Sequence, residues 1–464
     1  MRKTGRRNFL AAAGSLLACT AAGTLSFGRN ATRKPNIILI FADDLGYGDL
    51  GCYGSHKIKT PRLDKMASEG MRLTNFYAMA SICSPSRAAI LTGCYPQRCG
   101  LYMGISPKRA EHRHLGLHPD ETTIAELLGH VGYSTLCVGK WHLGGDDIFH
   151  PMNHGFDEYY GMPFNFHHSP IFMDGRKIVE KKTDLSTLTS RYTKKVVEFI
   201  KRRKDKPFFI YLPHTYPHTP LVPNARFKGK SNAGAYGDVI EEIDWSTGVI
   251  LDTIRSLGLD NDTIVVFTSD NGPTPAAARR YRSAGKLTGS KYTSWEGGQR
   301  EPCIVRWPGK TPAGRTCDKL ACSMDLLPTF AGLAGAKPPK NEIDGKDIWP
   351  LLSGRQDAES PHEALFYYNC DNLQAVLWKH WKLHLPRTKE MVPWWQKKRG
   401  ITVLKEPKLI DLSTDIKEAA NAAAENPKIV KHMLKLAEKA RQQFGDHGRR
   451  GTKQRPTGDS RKLK

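Results

Sequence analysis

After residue 30 the chain has no apolar run approaching the roughly 18 residues that a membrane span needs. No transmembrane segment is therefore expected in the body of the protein. It has no Cys-x-x-Cys pair of the sort that closes a structural zinc site, no internal repeat and no nucleic-acid-binding motif. Acid is in short supply: 46 Asp and Glu stand against 70 Lys and Arg, a net charge of +24. The hydrophobic fraction of 39% and charged fraction of 25% describe a soluble globular chain. At 464 residues it exceeds one ordinary core, so a large domain plus a smaller one is expected.

The excess of base is uneven. Residues 1–34 carry seven Lys or Arg and no acid, and residues 446–464 carry seven against two Asp. The body remains basic, which favours anionic partners; without a nucleic-acid motif, a polyanionic substrate is the better reading. The N-terminus places Arg6-Arg7-Asn8-Phe9-Leu10 before a stretch of small apolar residues, the pattern of a twin-arginine export signal over residues 1–33. Periplasmic or secreted localisation follows, through the twin-arginine translocation machinery. Cleavage near Ala22 and a lipoprotein form anchored through Cys19 both fit. Apart from Cys19 and Cys83, eight cysteines remain, and folding before export argues that most are core thiols.

Asn36–Phe41 is a continuous β-branched and apolar run, the signature of a strand buried on both faces. Further strands are predicted at 133–144, 207–215 and 263–272, alternating with helices over 60–70, 84–93, 122–132, 186–203 and 236–257. This α/β alternation predicts a large, mostly parallel or mixed sheet sandwiched by helices over 34–357. Strands at 363–369, 373–385 and 407–413 with a helix at 427–444 predict a smaller antiparallel subdomain over 358–445. The basic tail 446–464 reads as disordered.

Polar residues gather at the strand ends: Asp43-Asp44, Lys140 with His142, His214 with His218, and Asp270-Asn271. In open α/β sheets, ligands bind at the carboxyl ends of strands. Three carboxylates and an amide make an oxygen set suited to Ca²⁺ or Mg²⁺ rather than Zn²⁺. Lys140 and His142, two apart on an extended segment, should share a face. Lys291 and Glu296-Gly297-Gly298 lie in a loop whose glycines permit close backbone approach. Cys83, at the start of a predicted helix, admits four readings: core thiol, disulfide partner, thiol nucleophile, or precursor of another group.

Cys83-Ser84-Pro85-Ser86-Arg87 followed by Leu91-Thr92-Gly93 resembles the signature of type I sulfatases, of the alkaline phosphatase superfamily. The other clusters are similar to that family in chain order from about residue 34 to 310, and "AVLWKHWKLH" and "LIDLSTD" extend the likeness more loosely. The resemblance implies a sulfuric ester hydrolase in which a maturation enzyme oxidises Cys83 to Cα-formylglycine. The aldehyde hydrate would attack sulfur, and its second hydroxyl would expel sulfate. The resemblance assigns Asp43, Asp44, Asp270, Asn271 and residue 83 to one Ca²⁺, and Arg87 to bracing the modified residue. It assigns His142 to the diol as base, Lys140 and Lys291 to the sulfate oxygens, and His218 to protonating the leaving oxygen. Asn165 departs from a serine that some members have there.

A phosphate or phosphonate ester hydrolase of the same superfamily is the runner-up, but it would want a Ser or Thr nucleophile and His-rich zinc sites. A non-catalytic binder of sulfated glycans would be expected to have lost catalytic positions, and all are filled. Trp394 and Trp395, among five Lys or Arg within 385–400, suit a sulfated polysaccharide or glycosaminoglycan fragment, or equally a loop packed between domains.

Overall fold

The strand Asn36–Ala42 is buried along its whole length. Its odd residues Ile37, Leu39 and Phe41 join one core, while Ile38, Ile40 and Ala42 join another on the opposite face. This period-2 alternation makes the strand the seam between two hydrophobic layers. Each such aliphatic side chain stabilises the fold by roughly 1.5–3 kcal/mol through burial. The computed structural model describes residues 33–389, 391 and 403–463.

Asn36–Ala42 lies at the centre of an eleven-stranded sheet among the described residues. Across it the order is Arg315–Cys317, Met71–Tyr77, Arg300–Arg306, Thr263–Ser269, Asn36–Ala42, Phe208–Pro213, Ser134–Lys140, Glu158–Met162, Phe172–Asp174 and Lys177–Glu180, with Ala321–Cys322 also on Met71–Tyr77. The four strands that precede the polar clusters are parallel neighbours, so their carboxyl ends meet at one edge. Arg300–Arg306 is antiparallel to both its neighbours, which makes the sheet mixed. The strand Met71–Tyr77 was not legible as one, because Arg72, Thr74 and Asn75 break the apolar run and lie on half-buried positions.

The helices Pro61–Ser68, Ile124–His130, Leu188–Arg203 and Gly234–Ser256 fall within or near their predicted bounds. A second sheet is antiparallel, in the order Ala364–Asn369, Asn372–Trp378, Trp381–His384 and Lys408–Asp411, with the helix Pro427–Phe444 against it. The expected single strand 373–385 is a hairpin, turned at Lys379 in the left-handed region (φ 55°). The described residues from Lys34 onward form one compact unit.

The tail expected to be disordered is ordered up to residue 463. Gly458–Asp459 pairs with Leu115–Gly116, and Arg455 forms an ion pair with the buried Glu121. Composition misled here, because the tail's cations have specific acidic partners: Lys453 with Glu342, and Arg461 with Asp459. No described cysteine is in a disulfide, and no described helix is long and apolar enough to cross a membrane. The export signal with Cys19, and the Trp394-Trp395 pair, lie outside the described residues.

Candidate active site

The central strand delivers Asp43 and Asp44 to the sheet edge. Asp44 takes a left-handed backbone (φ 67°), and its N–H donates to Asp270 Oδ1 at 3.1 Å. Asp270 N–H in turn donates to the Ala42 carbonyl at 3.1 Å. The strand ends 42–44 and 269–271 are thereby locked together, and Asn271 Nδ2 donates to Asp44 Oδ1 at 2.8 Å. Carboxylate oxygens of Asp43, Asp44 and Asp270 lie within 4.8 Å of one another. Asp43 Oδ1, Asp44 Oδ2 and Asn271 Oδ1 are buried and have no hydrogen-bond partner. Buried oxygens are rarely left so. These hard donors, beside the grouped carboxylates of Asp43, Asp44 and Asp270, fit a divalent cation of the Ca²⁺ or Mg²⁺ type.

Cys83 opens the helix Cys83–Thr92, all of whose residues are buried. Gly93 closes the helix in the left-handed region (φ 68°), and no side chain caps the N-terminal turn. That uncapped end directs partial positive charge towards residue 83. One turn on, Arg87 Nη2 donates to Asp270 Oδ2 at 2.8 Å, and Nη1 donates to the Lys140 carbonyl at 2.8 Å. Its guanidinium also lies over Phe41, with 5.6 Å to the ring centroid. Lys140 Nζ reaches Asp43 Oδ2 at 2.5 Å. Lys291 Nζ pairs with Asp44 Oδ1 and lies 3.3 Å from Cys83 Sγ. That sulfur marks the place an oxygen of an oxidised residue 83 would take.

Burial pushes the Cys83 thiol up to about 11, outweighing the lowering by Lys140 and Lys291. At neutral pH it is no thiolate nucleophile, and it has no disulfide partner. Burial works against the charge on Asp43 too, but Lys140 first, then His218, Arg87 and Lys291, hold that carboxyl well below the usual range. Burial likewise opposes the Lys291 charge, and Asp44 overrides it, so the ammonium persists.

The histidines differ. The strand Ser134–Lys140 stops before His142, which takes a left-handed backbone (φ 62°). The expected sharing of a face by strand alternation is therefore incorrect: the turn after Lys140 re-aims His142 into the cavity. Its Nε2 is 3.0 Å from the Ile105 carbonyl, which can only accept, so the proton sits on Nε2 and Nδ1 keeps its lone pair. Nδ1 is buried and unpartnered. Burial first, then Lys140, His168 and Arg87, depress His142 well below an ordinary imidazole. His218 donates from Nδ1 to the Thr219 carbonyl at 2.6 Å, with Nε2 3.9 Å from Asp44 Oδ2. Its competitor His214 is fully buried, does not line the cavity, and has no partner at either ring nitrogen.

Of these groups, Asp44, Cys83, His142, His218 and Lys291 line a cavity of about 1130 Å³. Asn165 lines it, accepting from the His168 N–H at 3.1 Å. Also lining it are residues the sequence did not single out: Arg109, His167, His168 and Arg279. A further group lies behind the Lys291 loop. Fully buried Glu296 accepts from Tyr77 at 2.8 Å, Tyr367 at 2.9 Å and Lys382 at 2.8 Å. Lys382 also lies 3.0 Å from Glu418, which pairs with His384 at 2.8 Å. Lys382 and His384 share one face of the strand Trp381–His384, so "WKLH" held that signal. The loop's glycines are needed: a Cβ on Gly298 would sit 2.2 Å from the Thr293 carbonyl oxygen, and one on Gly297 2.8 Å from the Gly289 carbonyl oxygen.

Residues 35–336 match the Sulfatase family model, and residues 290–443 match that of the N-sulphoglucosamine sulphohydrolase C-terminal region. The chain is 40% identical over 397 residues to N-acetylgalactosamine-6-sulfatase of Canis lupus familiaris, covering 80% of this chain and 74% of that one. It is 39% identical over 372 residues to arylsulfatase A of Homo sapiens, covering 74% and 72%. A solved Bacteroides thetaiotaomicron structure, described under the metabolism of multiple glycosaminoglycans, superposes with a TM-score of 0.80 at 30% identity, covering 88% of this chain and 99% of that one.

Proposed function

The chain belongs to the sulfatase family and is a sulfuric ester hydrolase, and we propose that its substrate is a sulfated carbohydrate of polysaccharide or glycosaminoglycan type. The observation that carries this is the meeting of residue 83, Lys291 and Asp44 in the wall of one large cavity, with Asp44 grouped with Asp43 and Asp270 and Asp43 held by Lys140. The names of the relatives support the carbohydrate class, and small aryl sulfates fit the same floor.

In this reading Cys83 is matured to Cα-formylglycine, and Asp43, Asp44, Asp270 and Asn271 with residue 83 would hold one Ca²⁺. The aldehyde hydrate supplies the nucleophilic oxygen, and the cation neutralises charge on it and on the sulfate. The remaining work falls to the chain. Arg87, pinned by Asp270 and the Lys140 carbonyl, fixes the helix turn that carries residue 83. Lys291 and Lys140 place ammonium charge where sulfate oxygens would sit. His142, neutral with a free Nδ1 lone pair, accepts the proton when sulfate is expelled. His218 holds one proton against the Thr219 carbonyl, so a second can reside only on Nε2, from which it is given to the leaving oxygen. Burial first, opposed by Asp44 and Asp43 and aided by Lys291 and Lys140, depresses His218 to about 4; an anionic sulfate alongside would favour its charged form.

Twin-arginine export of the folded, matured enzyme to the periplasm or beyond completes the proposal, resting on Arg6-Arg7-Asn8-Phe9-Leu10. The test is sulfate release, measured by ion chromatography, from p-nitrophenyl sulfate and sulfated oligosaccharides. Release that a chelator abolishes and Ca²⁺ restores is expected. Release of phosphate from the matching phosphate esters, with none of sulfate, would favour the phosphoesterase alternative.

A further inference from the structure

We propose that Cys322, Asp325 and His362 form a second metal site, apart from the cavity, which takes one Zn²⁺. None of the three lines the cavity. Cys322 Sγ lies 3.3 Å from Asp325 Oδ2 and 3.7 Å from His362 Nε2, and His362 Nε2 lies 2.7 Å from Asp325 Oδ1. Tetrahedral zinc, with bonds of about 2.3 Å to sulfur and about 2.0–2.2 Å to nitrogen and oxygen, sets its ligand atoms roughly 3.3–3.6 Å apart. Two of the three separations are thus already near that spacing. The third is short because a proton is shared across it, and it widens once the cation takes that proton's place.

The donor set names the cation. A thiolate with an imidazole selects zinc, whereas the oxygen set of Asp43, Asp44 and Asp270 suits Ca²⁺ or Mg²⁺. On binding, the Cys322 thiol gives its proton to solvent and the imidazole proton moves to Nδ1, which frees a lone pair on Sγ and on Nε2 for the metal. The carboxylate is already oriented: the Cys322 N–H donates to Asp325 Oδ2 and the Lys346 N–H to Oδ1, each at 2.8 Å. Cys322 shares a core with Met324 and Leu365, so apolar side chains back the group. The His362 side chain is 7% exposed and stands between exposed Pro361 and Glu363, which gives solvent a route in and supplies water as the fourth ligand. Cys322 ends the strand Ala321–Cys322 on the large sheet, and His362 precedes the strand Ala364–Asn369 of the second sheet. A cation here clips the two sheets together.

The test uses the full-length Cys83→Ala protein, so that no thiol remains beside Asp43 and His218. It is freed of metal with a chelator and titrated with Co²⁺, a spectroscopic stand-in for zinc. One equivalent should produce thiolate-to-cobalt charge-transfer absorption in the near ultraviolet, which Zn²⁺ removes and a large excess of Ca²⁺ does not. Cys322→Ser should abolish the band, and His362→Gln should weaken cobalt affinity by about 100-fold or more. Cys317→Ser, on another strand beside Met71–Tyr77 and outside the cluster, should keep both. Melting of each variant in chelator checks that it is folded, and Zn²⁺ should raise the melting temperature of the parent but not of Cys322→Ser. No band in the parent with excess Co²⁺, or a band that survives Cys322→Ser, would overturn the inference.

Discussion

Lys291 Nζ lies 3.3 Å from Cys83 Sγ while pairing with Asp44, so one ammonium bridges the residue proposed to be oxidised and a carboxylate proposed to bind the cation. Its charge is preorganised before substrate arrives. Lys291→Ala should lower kcat/KM for a sulfate ester by about 100-fold or more, the scale for loss of one preorganised charge stabiliser. Steady-state kinetics alongside the mass of the residue-83 peptide checks this. A normal rate would remove Lys291 from the chemistry.

The Glu296–Lys382–Glu418 group braces the loop behind Lys291. Lys382→Met would leave two buried glutamates facing each other, one of which Lys382 already helps to hold charged, down at about 2 against the opposing effect of burial. A loss of about 3–5 kcal/mol is expected, read as a lower midpoint in urea, with Lys382→Arg losing less.

The ordered tail makes a second stability prediction. Arg455→Ala strands Glu121, which is 2% exposed, without its guanidinium. A cost of roughly 2 kcal/mol is expected, and thermal unfolding measures it. A disordered tail would give no change.

His142 sets a pH dependence. Burial and Lys140 favour its neutral form in the folded protein, so it gains a proton only on acidification below the ordinary imidazole value of 6.5. The base is thus available throughout neutral pH, and the acidic limb of kcat governed by it should lie below pH 6.5. Profiles of wild type and His142→Gln, the latter slow and lacking that limb, check the assignment.

Cation binding should stabilise. At 1,000 times its Kd, a ligand specific for the native state adds about 4 kcal/mol. Ca²⁺ should raise the melting temperature of the wild type, and the rise should vanish in Asp270→Asn.

The site was more legible than its surroundings. Asp43, Asp44, Asp270 and Asn271 could be grouped because each follows a run of buried β-branched residues, and parallel pairing must carry such runs to one edge. Cys83 and Arg87 were legible from their spacing. The Lys382 and Arg455 ion pairs were not: their partners stand 86 and 334 residues away, and local patterning carries no signal at that range. The turn at His142 was missed because a positive φ on a non-glycine residue is set by its neighbours, here the Pro163 carbonyl that accepts the His142 N–H at 2.9 Å. The tail misled because basic, glycine-containing composition reads as disorder unless its partners are known.

The most direct measurement is the mass of the tryptic peptide 73–87, from protein produced with a formylglycine-generating enzyme, taken together with the rate of Cys83→Ala. The account predicts a side chain converted from CH₂–SH to CHO in the active protein, and no sulfate release from the variant. A fully active protein with an intact thiol at residue 83 would contradict it.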